Sequence, residues 1–70
     1  MTTGTVTHVD LEGGFYGILT DDGAQLFPLN LAEEFRQDGL RIRFQTEDAA
    51  VFTLAQWGRP VRLADVVKAD

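Results

Sequence analysis

Apolar and polar residues alternate with a period of two in two stretches of this chain, the spacing that sets one face of a β-strand on a core and the other in solvent. Thr3 to Asp10 is rich in β-branched residues, with Val6 and His8 on one face and Thr5, Thr7 and Val9 on the other, and reads as a first strand. Leu11-Glu12-Gly13-Gly14 supplies a turn, after which Phe15 to Thr20 resumes strand composition. Gly17 falls inside that second strand, where a glycine marks a bulge or a surface that another backbone approaches. Asp21-Asp22-Gly23 has the chemistry of a hairpin turn and leads into a third strand, Ala24 to Phe27. Pro28 has no N–H to give a ladder, so it ends that strand or places it at an edge.

The period then changes. Over Asn30 to Gly39 the pattern predicts one short helix of about two turns, with Asn30 as N-cap, Glu33 and Glu34 in the first turn and Gly39 as the stop. Leu31 and Phe35, four apart, share its apolar face and are expected to plug the end of the sheet. Leu40 to Gln45 alternates without a miss and is the clearest strand in the chain. Ala49 to Ala55 reads as a further strand, broken by Gln56-Trp57-Gly58-Arg59-Pro60, and Val61-Arg62-Leu63 with Val66-Val67 as a last short one.

These elements predict an all-β fold: a five- to six-stranded, partly open antiparallel barrel with one short helix between strands 3 and 4. That is the order of the oligonucleotide- and oligosaccharide-binding (OB) barrel. An SH3-like barrel is the alternative, and it usually has no capped helix at this point.

Length and charge narrow the function. Seventy residues make a single domain, spanning 1–70, whose five Phe, Trp57 and Tyr16 are read first as core and only then as ligand contacts. The balance of 6 Lys and Arg against 11 Asp and Glu, a net charge of −5, opposes non-specific attraction to nucleic acid or anionic lipid. The absence of cysteine excludes disulfides, thiol nucleophiles and Cys-ligated metals, and a lone histidine excludes most His-based sites. The first residues show no basic or apolar leader pattern and no run is long enough to cross a bilayer, so a cytoplasmic monomer without membrane contact is expected.

The first half of the chain resembles a cold-shock domain. Gly4-Thr5-Val6, Gly14-Phe15-Tyr16-Gly17-Ile18, Asp21-Asp22-Gly23 and Leu26-Phe27 stand in that family's order over about 30 residues. The whole chain more closely resembles a group of small uncharacterised prokaryotic OB-fold proteins. That likeness rests on Asp10 to Ile18, Pro28-Leu29-Asn30-Leu31, Glu34-Phe35, Asp38-Gly39-Leu40 and Trp57-Gly58, and it implies no activity. Cold-shock domains stack bases on aromatic rings while basic residues track the phosphates. Here Gly13 replaces the basic residue ahead of the glycine-aromatic pair, and Glu12 adds negative charge. The second aromatic motif is reduced to Leu26-Phe27-Pro28, and His8 and Val9 stand where the first strand would carry Trp.

Candidate residues are weighed against plainer roles. Asp10, Glu12, Asp21 and Asp22 would suit calcium or magnesium if they converged at one end of the barrel, but ordinary turn chemistry accounts for them, and no metal or cofactor is expected. Asp21 and Asp22 point apart in a hairpin, so no catalytic residue is assigned and the chain is expected not to be an enzyme. His8 is expected at a rim. Of Phe15 and Tyr16 one must face outward, and the reading favoured here places Tyr16 on a ligand- or partner-binding strand face with Trp57 at its rim. Arg41 and Arg43, two apart on one strand, form a candidate basic stripe, for which pairing with Glu47, Asp48 or Asp65 is the plainer role. The function expected is therefore non-enzymatic contact with a protein or small ligand, with weak single-stranded nucleic-acid binding as the alternative.

Overall fold

Each strand sends part of its apolar set to a common interior. In the computed structural model, which describes residues 1–11, 13–49 and 57–69, the strands are β1 (Thr2–Val9), β2 (Phe15–Thr20), β3 (Gln25–Pro28), β4 (Arg41–Asp48) and β5 (Arg59–Lys68). They close into a barrel in the order β1-β2-β3-β5-β4. The fold is all-β, as the alternation predicts. Closure goes beyond the partly open antiparallel sheet expected, because β3 and β5 pair in parallel over Leu26–Arg59, Phe27–Pro60 and Pro28–Val61.

Val6, Ile18, Leu26, Ile42, Phe44, Val61 and Leu63 point inward from the five strands, and Leu31 completes the buried core. The register explains how one barrel accommodates so small a core. Gly4 of β1 faces Thr20 of β2 and Ile42 of β4 at once. A Cβ at Gly4 would lie 2.8 Å from the Leu19 carbonyl oxygen and 3.2 Å from Thr20 Cα, so the tight coil of the sheet there depends on the missing side chain.

Three sequence expectations change. Asn30 does not cap a helix, and only a 3-10 turn, Glu33–Phe35, forms, with Ala32 ahead of it and no side-chain cap. The reason is competition for the same groups. Asn30 Nδ2 donates to the Leu63 carbonyl at 3.1 Å and its Oδ1 accepts from Leu63 N at 2.8 Å, while Gly39 N donates to the Val6 carbonyl at 2.7 Å and Val6 N to the Leu40 carbonyl at 2.8 Å. Backbone at the far end of the segment thus extends sheet pairing instead of completing the second turn, which a costly helix nucleus does not offset. Leu31 and Phe35 still plug the barrel end, buried and half-buried.

The break expected over Gln56-Trp57-Gly58-Arg59-Pro60 is shorter on its far side: Trp57 and Gly58 form a bend, but Arg59 and Pro60 already begin β5, where a proline forfeits only one donor near a strand end. The last strand is accordingly long, and it is continuous past Leu63 by means of a bulge. Arg43 pairs with Val67 but Gln45 with Ala64, so Asp65 and Val66 together oppose Phe44. Asp65 takes φ 56°, and the extra residue turns Val66 back against the core. The strand expected over Ala49 to Ala55 lies, apart from Ala49, outside the described residues.

Candidate binding groove at the barrel end

Burial of Ile18 and Thr20 fixes the parity of β2: even positions face the interior, and Phe15, Gly17 and Leu19 face out. Tyr16 is therefore not on the outer face. It is half-buried, packs against the core and lies edge-on to His8, its cross-strand partner, with ring centroids 5.2 Å apart. Trp57 lies on the opposite side of β2, where its ring covers Gly17. The single strand face carrying Tyr16 with Trp57 at its rim is corrected accordingly.

Phe15 joins the two regions. On the outer face its ring meets Phe27 of β3 at 5.2 Å and Trp57 at 5.9 Å, both edge to face. On the other side it lines a half-open groove of about 360 Å³ together with His8, Gly14, Tyr16, Phe27, Pro28, Leu31 and Arg36. This volume lies within the roughly 300–1,000 Å³ of small-molecule sites.

The groove is built from ordinary local chemistry. Gly14 takes φ +92°, and a Cβ there would stand 3.0 Å from His8 Nε2. The imidazole is thus seated between Gly14 and the Tyr16 ring, an exposed rim position as expected from the sequence. Pro28 and Leu31 are buried and form the apolar floor. Arg36 follows the 3-10 turn and donates from Nε to the Leu31 carbonyl at 3.0 Å, which fixes the guanidinium at the groove wall. Asp38 accepts from the His8 backbone N–H at 2.9 Å.

The acidic turns do not converge. Val9–Phe15 and Gly4–Thr20 are opposite ends of the β1–β2 pair, so Asp10 lies at one end of β2 and Asp21 and Asp22 at the other. Consecutive hairpin turns must separate in this way. Asp21 accepts two hydrogen bonds from Arg41, at 2.6 and 2.9 Å, and that guanidinium holds its carboxyl below its ordinary value while Arg41 is raised in return. The Thr20 hydroxyl donates to Asp22 and lowers its carboxyl similarly. Among the described residues no three His, Asp or Glu side chains gather as a metal ion would require, and no helix is long and apolar enough to cross a membrane.

Arg41 is engaged with Asp21, and also donates to Thr5 Oγ1 at 3.1 Å. Its partner is none of the acids expected from the sequence, because the β2–β3 turn lies alongside β1 through the Asp21 N–H to Thr3 carbonyl bond of 3.0 Å. Arg43 is exposed on the same side of β4 and has no ion-pair partner among the described residues. The two arginines therefore do not act as a free pair.

Sequence reasoning missed Phe15, Phe27, Leu31 and Arg36 as neighbours in one place. Counting the parity of β2 from Ile18 would have turned Phe15 outward, but nothing in the sequence aims Arg36 at the groove. Comparison with protein-family models, curated proteins and solved structures found no match.

Proposed function

We propose that this protein is a non-enzymatic binding module of the OB type, which holds a small ligand or a side chain of a protein partner in the groove at the barrel end. The strand order β1-β2-β3-β5-β4 and the plug between β3 and β4 support the fold assignment. The groove itself carries the functional reading: Phe15, Phe27, Pro28 and Leu31 provide apolar contact, and His8, Tyr16 and Arg36 provide polar groups along the same lining. A few polar groups over an apolar floor is the general form of a ligand site. Amide chemical-shift mapping with a neutral aromatic compound tests it. Shifts are expected at residues 8, 14–16, 27, 31 and 36, and shifts confined to Arg43, Arg62 and Val67 would reject the groove.

The second reading is single-stranded nucleic-acid binding on the outer face of β2 and β3, which Phe15, Phe27 and Trp57 favour because that face serves OB barrels for oligonucleotides. Two features weigh against it: Trp57 already spends one ring face on Gly17, and the net charge is −5. Titration with short DNA and RNA at low salt separates the two readings, since stacking would shift Trp57 and Gly17 in preference to Leu31 and Arg36.

A further inference from the structure

Resting on the groove reading above, we propose that the ligand class is a single carboxylate carried on an apolar or aromatic body, with the carboxylate meeting Arg36 and the body lying on Phe15, Phe27, Pro28 and Leu31.

Charge complementarity selects this chemistry. Among the described residues Arg36 is the only permanent cation lining the groove. Its Nε is committed to the Leu31 carbonyl at 3.0 Å, and among the described residues neither terminal nitrogen has a partner. A guanidinium held at one corner presents its remaining N–H groups as a planar fork, which suits the two oxygens of a carboxylate. His8, seated by Gly14 and Tyr16, is the second nitrogen-bearing side chain on the lining. The floor beside them is apolar, so a bare inorganic anion would leave most of the volume without contacts.

Charge also sets an upper bound on the ligand. Asp38 sits at the His8 rim through its 2.9 Å bond to the backbone N–H, and the molecule as a whole carries −5. A polyanion would meet that repulsion several times over, a monocarboxylate once.

The test titrates 3-phenylpropionate and its uncharged amide separately into the protein and follows backbone amide shifts. The acid should saturate shifts at His8, Tyr16, Leu31 and Arg36 and bind about tenfold more tightly than the amide, as a charge-assisted contact would give. Arg36→Gln should abolish that difference by weakening the acid to the level of the amide. A peptide ending in a free Phe carboxylate, beside its amidated form, asks whether a protein chain end supplies the same chemistry, and preference for the free acid in either series supports the proposal. Equal binding of acid and amide in the groove would overturn the carboxylate assignment and leave the groove reading standing. Absence of groove shifts with every one of these compounds would overturn both.

Discussion

The Trp57 indole lies directly on Gly17 in the middle of β2, so close that a methyl group at Gly17 would fall 2.2 Å from the ring's Cζ3 and 2.5 Å from Cη2. The glycine interrupts a row that Phe15 and Leu19 otherwise continue, and Trp57 fills the gap while meeting Phe15 edge-on at 5.9 Å. Gly17→Ala therefore displaces the indole. Trp57 is the only tryptophan in the chain, so its emission should shift to the red in this variant, with a stability loss of about 1–3 kcal/mol. An unchanged spectrum and melting temperature would mean that the ring does not rest on β2.

Gly4→Ala should behave differently, because the obstruction is backbone. The added carbon would lie 2.8 Å from the Leu19 carbonyl oxygen, and no side-chain rotation relieves that contact. The expected result is a larger loss than at Gly17, read by chemical denaturation of the two variants side by side. Equal tolerance of alanine at both positions would contradict the close β1–β2 approach.

Asn30 clamps the β3–β4 connection to β5 through both of its amide atoms on Leu63. Asn30→Ala leaves a backbone donor and acceptor without that partner and should cost about 1–3 kcal/mol. Asn30→Asp retains only the acceptor and should fall between. Were Asn30 a helix cap instead, Asp would serve as well as Asn, so the Asp variant distinguishes the two roles in a thermal melt.

Acid stability follows from Asp21 and Asp22, whose carboxyls are lowered from 3.8 by hydrogen bonds from Arg41 and Thr20 respectively. A carboxyl with a depressed folded-state pKa stabilises the fold fully above its unfolded value and loses that contribution as pH falls through the folded one. Stability should therefore decline below about pH 4, and Asp21→Asn should make the decline shallower. Both groups are exposed, so the effect should also weaken with added salt. A pH profile identical in the Asn variant would show that the Arg41 pair does not form in solution.

Alternation and turn chemistry together made the barrel legible, the alternation most plainly over Arg41 to Phe44 of β4. What escaped were features decided by partners distant in sequence. The helical period over Asn30 to Gly39 gave way because Asn30 found Leu63 and Gly39 found Val6. Arg41 met Asp21 across a register that no spacing reveals. Outward placement of Phe15 in preference to Tyr16 was recoverable from the inward position of Ile18, whereas the approach of Arg36 to the groove depends on the 3-10 turn that replaced the helix.

The central claim is that a ligand enters at the barrel end and not on the outer sheet face. Intermolecular NOEs from bound 3-phenylpropionate to methyl groups test this most directly, since Leu31 forms the groove floor while Leu19 and Val67 are exposed on the outside. The account predicts contacts from the phenyl protons to the Leu31 methyls and the Tyr16 ring. Contacts to Leu19 or Val67 with none to Leu31 would contradict it.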